Sequence, residues 1–254
     1  MKRPHNKLIG ACFGNDLPAC NGEEWFGMNI SHFISTIYDI GCSDNSIFGA
    51  FPGEVHYFEP SPRIKDLFAI TENVNTKSYY NNFGLSDTTS TARQITWETE
   101  GVIPGDPESP VTFMPTKTGA DYMRENGFAK VDFLKLDTEG HELQILKGFG
   151  GNLANTKIIQ FEYGGTTYAC GESLHNIISY LKKFDFYNFS YLAPNRLVPI
   201  NWTDESVDHY TFCNIVCFNK RHTKALLEAP LSPLSVGNLG VYEPLIATWK
   251  STQR

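Results

Sequence analysis

Three groups of residues in this 254-residue chain have types and spacing that suit chemistry. The densest is Lys135-Leu136-Asp137-Thr138-Glu139-Gly140-His141-Glu142, where three carboxylates and an imidazole crowd the end of one expected strand and the first turn of the next helix. Acids near a helix N-terminus are favoured by its partial positive charge, which accounts for Glu139 and Glu142 without any reaction. Asp137 is different, because a carboxylate at a buried strand end needs a partner. Gly140 beside it permits close approach of another backbone. The second group is Asp39-Ile40-Gly41-Cys42-Ser43-Asp44-Asn45-Ser46, a strand end and tight turn whose backbone N–H groups can face a ligand. The third is Glu59, twenty residues after Asp39, placed to accept hydrogen bonds from both hydroxyls of a ribose.

The glycines narrow the ligand. A dinucleotide needs further glycines around its pyrophosphate, and this turn has only Gly41. A Gly-x-x-x-x-Gly-Lys-Ser/Thr loop for a nucleoside triphosphate is also absent from the sequence. An Asp at the turn suits an ammonium group. A nucleoside joined to a cation, without phosphate, points to S-adenosylmethionine (SAM).

Short β-rich runs alternate with helical ones, the pattern of an α/β domain with a mainly parallel sheet. Strands are expected at Thr36–Ile40, Val55–Phe58, Ser78–Leu85, Val131–Leu136 and Lys157–Tyr163, with a further short one at Ala92–Glu98. Helices are expected at Ser61–Asn73, Ala120–Asn126, His141–Phe149 and Leu174–Phe184, where apolar residues recur at helical spacing. Two late strands, Phe186–Leu192 and His209–Phe218, flank an expected loop from Ala193 to Asp208. Gly101–Pro110 reads as an exposed loop and residues 223–254 as a terminal appendage. Open α/β sheets bind ligands at the C-terminal ends of their strands, where all three groups fall.

Composition sets the outer limits. With 41% hydrophobic and 19% charged residues the chain is not disordered. Its net charge is 21 − 28 = −7, and no long basic run offers to neutralise phosphates, so nucleic acid is not an expected partner. No run reaches the ~18 apolar residues of a membrane span. Six scattered cysteines without a Cys-x-x-Cys pair read as reduced thiols, and the apolar stretch Leu8–Phe13 is too short for a signal peptide. A soluble, cytoplasmic protein is expected.

With these motifs assembled, the sequence resembles the FkbM family of SAM-dependent methyltransferases over roughly Thr36–Phe218. The most specific part is Lys-x-Asp-x-Glu-Gly-x-Glu-x-x-x-Leu-x-Gly, met at Lys135, Asp137, Glu139, Gly140, Glu142, Leu146 and Gly148. Phe58-Glu59-Pro60 is similar to the family's acidic second motif, Leu85-Ser86-Asp87 to the segment after its third strand, and Ile159–Tyr163 to its fifth strand. In the first motif Cys42, Ser43 and Asn45 stand where the family usually has Ala, Asn and a second Gly. Asn is the best non-Gly residue for a left-handed turn. The resemblance implies a Rossmann-like class I methyltransferase fold: a seven-stranded, mostly parallel sheet with the last strand antiparallel and helices on both faces. It would occupy residues 36–222, with 1–35 as an N-terminal extension or cap.

The resemblance also implies O-methylation of a sugar, glycan or small metabolite. Asp39, Gly41, Cys42, Ser43, Ser46, Glu59, Pro60, Phe83 and Gly84 would bind the cofactor. An alcohol is a poor nucleophile, so a base or a metal must help remove its proton. Either Glu139 or His141 acts as the base beside Asp137, or Asp137 and Glu162 hold a divalent cation such as magnesium. Trp97, Tyr163, Tyr168 and Trp202 are candidates to stack on the acceptor. The competing expectation is a non-catalytic SAM-fold module that scaffolds a partner enzyme.

Overall fold

The computed structural model describes residues 18–43, 46–61, 77–96, 111–201 and 207–222. Its elements run α1 (Pro18–Asn21), α2 (Glu23–Ile30), β1 (Thr36–Ile40), β2 (Glu54–Phe58), β3 (Lys77–Asn81), β4 (Gly84–Leu85), β5 (Ser90–Thr96) and β6 (Val111–Lys117). They continue through α3 (Gly119–Asn126), β7 (Phe133–Leu136), α4 (Glu142–Phe149), β8 (Ile158–Tyr163), α5 (Gly165–Ala169), α6 (Leu174–Lys182), β9 (Phe186–Ala193), β10 (Arg196–Pro199) and β11 (Cys213–Asn219).

The main sheet has the order β10-β9-β11-β8-β7-β1-β2-β3. Strands β1, β2, β3, β7 and β8 are parallel. Strand β11 enters antiparallel between β8 and β9, and β10 folds back on β9. The chain reverses its direction of travel across the sheet between β1 and β7, and that switch point is where an open α/β sheet leaves a crevice for a ligand. Helices cover both faces. On one, Phe26 and Ile30 of α2 pack with Phe48 and Phe51 against Ile37, Tyr57, Phe133 and Ile158. On the other, α3, α4 and α6 press Tyr122, Phe149 and Ile177 onto Tyr38, Phe58, Leu136 and Phe161. Central strands buried on both sides must be apolar along nearly their whole length, which is why β1, β2, β7 and β8 read so plainly in sequence. Each large core side chain removed from water contributes about 1.5–3 kcal/mol.

Two expectations are corrected. The sheet holds eight strands rather than seven, because the expected loop after Leu192 turns tightly at Pro194-Asn195 and returns as β10. The expected strand Ser78–Leu85 is broken at Asn82-Phe83: β3 stays in the main sheet, whereas β4 joins a separate three-stranded sheet of order β4-β6-β5. Strand β6 went unread because Pro115, which has no N–H to give a ladder, sits inside it. The expected helix Ser61–Asn73 lies, beyond Ser61, outside the described residues, as do the loop Gly101–Pro110 and residues 223–254. Among the described residues no helix is long and apolar enough to cross a membrane.

A fully buried histidine fastens β2 to α3. His56 Nε2 lies 2.7 Å from Glu54 Oε1 and Nδ1 lies 2.8 Å from Tyr122 Oη, so a neutral ring with its proton on Nε2 satisfies both. Its ring stacks on Tyr79 with centroids 4.4 Å apart. Burial pushes the His56 pKa below its ordinary value, with Glu54 opposing. The unfolded chain therefore takes up this proton first as pH falls. The contribution is intact above about pH 6.5 and is lost as pH drops toward the folded pKa. Melting temperature should accordingly depend less on pH in His56→Gln than in the wild type between about pH 7 and 5. Equal slopes in the two proteins would overturn this role.

Candidate active site

Strand register gathers polar side chains into one row on the α2 face of the sheet. Asp39 is level with Lys135 across β1 and β7, and Lys135 with Gln160 across β7 and β8. Two residues further along, on the same side, come Asp137 and Glu162, the latter level with Asn214 of β11. Lys135 is the hub. Its Nζ lies 3.0 Å from Asp137 Oδ2, 3.7 Å from Glu23 Oε1 and 3.8 Å from Asp39 Oδ1. Glu23 arrives from the first turn of α2 and also accepts from Gln160 Nε2 at 2.6 Å. Burial alone would lower the Lys135 pKa, but the carboxylates of Asp137, Glu23 and Asp39 raise it well above its usual range. The ammonium is thus permanently charged.

The turn after β1 is closed by sterics as well as by hydrogen bonds. Gly41 has φ 81°, and a Cβ there would stand 1.8 Å from the Asp137 carbonyl oxygen. Only glycine lets the β1 and β7 loops touch in this way. Gly41 N–H donates to Phe58 O and Asp137 N–H to Ile40 O, so the three strand ends are stitched together. Ser43, with φ 52°, donates its N–H to Glu59 Oε2 at 3.0 Å, and Ser61 N–H donates to Glu59 Oε1 at 2.7 Å. Ser46 Oγ donates to Asp39 Oδ2, which leaves Asp39 Oδ1 buried without a hydrogen-bond partner among the described residues. Burial raises the Asp39 pKa against the pull of Lys135 and Ser46.

The remaining expected cofactor residues lie around these loops. Cys42 is buried against the α2-side core, and burial pushes its thiol far up. Pro60 sits in a short segment held by Asn82, whose Nδ2 lies within 2.9–3.1 Å of the carbonyls of Glu59, Pro60 and Ser61. Phe83 packs on Phe58 at 5.9 Å between centroids, and Gly84 opens β4. Asp39, Gly41, Ser43, Ser46 and Glu59 are therefore brought together directly, whereas Phe83 and Gly84 stand one loop away, at the end of β3.

Around Asp137 the carboxylates divide into separate tasks. Oxygens of Asp137, Glu139 and Glu162 lie within 4.8 Å of one another. Burial and the proximity of Asp137 raise the Glu162 pKa well above its usual range. Burial also works on Asp137, but Lys135 and a hydrogen bond with Glu162 outweigh it and keep Asp137 below its ordinary value. Glu162 thus keeps the proton of the pair and Asp137 the charge. Glu142 faces inward: its Oε1 accepts from Thr138 N and Thr138 Oγ1, both at 2.9 Å, and burial lifts its pKa to about 7. Its task is to hold the Asp137–Gly140 turn, in which Glu139 takes φ 54°.

His141 engages a different set. Its Nε2 is 2.9 Å from Ser86 Oγ, which donates to Asp87, itself paired with Arg93. Burial, with Arg93 nearby, drops the His141 pKa to about 4, so the ring is neutral. Gly148 makes that contact possible, since a Cβ there would stand 1.9 Å from the Ser86 carbonyl oxygen. Of the aromatic candidates, Tyr163 is fully buried and Tyr168 is 68% exposed, while Trp97 and Trp202 lie outside the described residues.

Comparison with known families now adds the decisive observation: the model for the methyltransferase FkbM domain matches residues 46–187, more than half of the chain. The chain belongs to the FkbM methyltransferase family. Among solved structures, it is similar to the N-methyltransferase NodS of Bradyrhizobium japonicum WM9 bound to S-adenosyl-L-homocysteine, at 9% identity over 85% of this chain and 93% of that one, with a TM-score of 0.42. It is also similar to an rRNA methylase of Streptococcus thermophilus (8%, 81% and 99%, 0.43) and to a putative caffeoyl-CoA O-methyltransferase of Staphylococcus aureus (10%, 85% and 90%, 0.40). Comparison with curated proteins finds no match.

In this FkbM methyltransferase, Asp39 Oδ1 has no hydrogen-bond partner among the described residues and lies 3.8 Å from Lys135 Nζ, and the Glu59 carboxylate retains acceptor capacity beyond its two backbone N–H bonds. Sequence reasoning missed Lys135 as a site residue, along with Glu23 and Asn82. The shared parity of Asp39, Lys135 and Gln160 on neighbouring strands was the available signal for the first. Removing the Lys135 ammonium strands buried carboxylates, an event that costs about 3–5 kcal/mol. Lys135→Met should lower unfolding free energy by that order in urea titrations. A loss within the range of an exposed ion pair, about 0–1 kcal/mol, would contradict the hub role.

Proposed function

We propose that this protein transfers the methyl group of SAM to a hydroxyl of a sugar, glycan or small metabolite. The observation that carries the reading is the stitching of three strand ends at the switch point: Asp39, Glu59 and Asp137 belong to loops in direct contact. When bound, SAM supplies an electrophilic methyl on a positively charged sulfur. Asp39 receives its ammonium, Glu59 its ribose, and the backbone from Gly41 to Ser43 frames the turn between them. Ser46 fixes the Asp39 carboxylate, and Asn82 the segment that carries Glu59.

The acceptor oxygen must stand about 3–3.5 Å from the methyl carbon, in line with the departing sulfur. It attacks that carbon, the C–S bond pair leaves with sulfur, and the hydroxyl proton must go to a nearby base. Asp137, Glu139 and Glu162 are oxygen donors of the kind a hard divalent cation takes, and such a cation would displace the proton that Glu162 holds. In this reading the three carboxylates would hold the cation, which would supply Lewis-acid polarisation of the acceptor oxygen. Lys135 keeps Asp137 ionised. His141, neutral and bound to Ser86, holds the turn on which Glu139 sits. The acidic surroundings and the net charge of −7 favour an uncharged acceptor over nucleic acid. The buried thiols Cys42 and Cys217 suit a reducing, cytoplasmic setting.

Titration calorimetry tests the cofactor half. Asp39→Ala and Glu59→Ala should each weaken SAM binding by about tenfold or more, the worth of one charge-assisted hydrogen bond. Unchanged affinity in both would remove the assignment. A mass-spectrometric screen of glycans and small alcohols for addition of one methyl group tests the other half. Asp137→Asn should abolish turnover in that screen while leaving SAM bound. EDTA should stop it and magnesium should restore it, whereas full activity in EDTA assigns the proton to a carboxylate base. SAM binding without turnover of any acceptor would instead favour a scaffolding module.

A further inference from the structure

Tyr210 was not among the residues the sequence singled out, yet the structure builds a support under it. Its φ is 51°, a backbone conformation that bulky side chains rarely adopt. Four contacts hold it and its neighbours there. Tyr210 N–H donates to the buried Tyr163 hydroxyl at 3.1 Å, and the Tyr210 ring stacks on that of Tyr163 with centroids 5.6 Å apart. On the next residue, Thr211 N–H donates to His209 Nδ1 at 3.0 Å. The His209 ring packs edge-on against Tyr163 at 5.3 Å. A left-handed backbone kept in place by a buried hydroxyl presents its aromatic ring in one fixed direction, and such strain concentrates at functional positions.

Tyr168 completes a corner with Tyr210. The two rings meet edge to face, with centroids 5.0 Å apart and planes at 65°. Among the described residues only Met28, Phe113 and Tyr168 are large apolar side chains left exposed, and Tyr168 is the most exposed of the three. Its helix α5 lies on the acidic turn, because a Cβ on Gly140 would stand 2.6 Å from the Thr166 carbonyl oxygen and 2.7 Å from Cys170 Sγ. Tyr163, the base of the stack, follows Glu162 at the end of β8 but points to the opposite face of the sheet, so the link between the two runs through α5. The helix that carries Tyr168 therefore packs directly on the turn that carries Glu139, with Cys170 Sγ 3.9 Å from the Glu139 carbonyl oxygen.

We infer that Tyr168 and Tyr210 form the stacking surface for a pyranose ring of the methyl acceptor, whose hydroxyls reach the Asp137, Glu139 and Glu162 carboxylates. This rests on the O-methylation proposed above and narrows it to a sugar substrate. A pyranose presents polarised C–H groups on its faces, which suit the electron-rich faces of aromatic rings, and hydroxyls around its edge, which suit carboxylates. A planar aromatic acceptor would fit the same corner but has fewer hydroxyls to offer the carboxylates. A phosphorylated one would be repelled by the acids.

Saturation-transfer NMR on the protein loaded with S-adenosylhomocysteine tests this with four probes: the methyl glycosides of glucose, mannose, galactose and rhamnose. Ring protons of at least one glycoside should be saturated by the wild type. Tyr168→Ala and Tyr210→Leu should each raise its Kd about tenfold, while Tyr168→Phe preserves it. Calorimetry should find S-adenosylhomocysteine bound equally well by all of them. Bound S-adenosylhomocysteine without saturation of any glycoside, or glycoside binding undiminished in Tyr168→Ala and Tyr210→Leu, overturns the sugar surface alone. Failure of the wild type to bind S-adenosylhomocysteine overturns the methyl-transfer reading beneath it.

Discussion

One ammonium group, that of Lys135, makes the C-terminal end of this sheet electrostatically possible. Asp39, Asp137 and Glu23 converge on it within 3.0–3.8 Å, with Asp39 and Glu23 buried and Asp137 half-buried. Three carboxylates so placed would repel one another strongly at the low effective dielectric of a protein interior. Burial pushes the Asp39 pKa upward against the pull of Lys135 and Ser46, and Glu162 keeps the proton it shares with Asp137. The arrangement resembles a spring loaded with negative charge. It is suited to receive further positive charge.

Close backbone approach is the second constraint, and it decides which loops share the site. Gly41 lies against the Asp137 carbonyl, and Gly148 against that of Ser86. The first contact fuses the turn after β1 to the acidic turn. The second docks α4 on the segment after β3 and places His141 beside Ser86. Glu142 then closes the acidic turn from within, which leaves Asp137 and Glu139 to face outward. Residues that look like one acidic cluster in the chain are thus split into a carboxylate that shapes the turn and carboxylates that are available for chemistry.

Strand β1 was read from Thr36 to Ile40, as found, and β2, β7, β8, α3, α4 and α6 were read within about two residues at their ends, because each follows a single periodicity and carries clear end signals. Thr118 and Ser173 cap α3 and α6 through their hydroxyls, and Gly127 ends α3 in a left-handed conformation. What escaped was structure whose signal is non-local. Strand β6 contains a proline, β4 has two residues, and β10 exists only because β9 is there to pair with it. Helix α2 looked like part of an extension, yet its Phe26, Ile30 and Glu23 complete one face of the sheet and the charge network at its edge.

The sequence by itself determined the alternation of strands and helices, the parallel sheet and the family motif that carries Asp137, Glu139 and Glu142, because burial on two faces and capping chemistry act between near neighbours in the chain. Only the tertiary structure decided that Lys135 sits among Asp39, Asp137 and Glu23, that His141 turns to Ser86, and that the half-buried Tyr210 meets the exposed Tyr168. Those relations join residues up to more than a hundred positions apart. Their energies depend on register, distance and exclusion of water, none of which exists until the sheet has closed its layers.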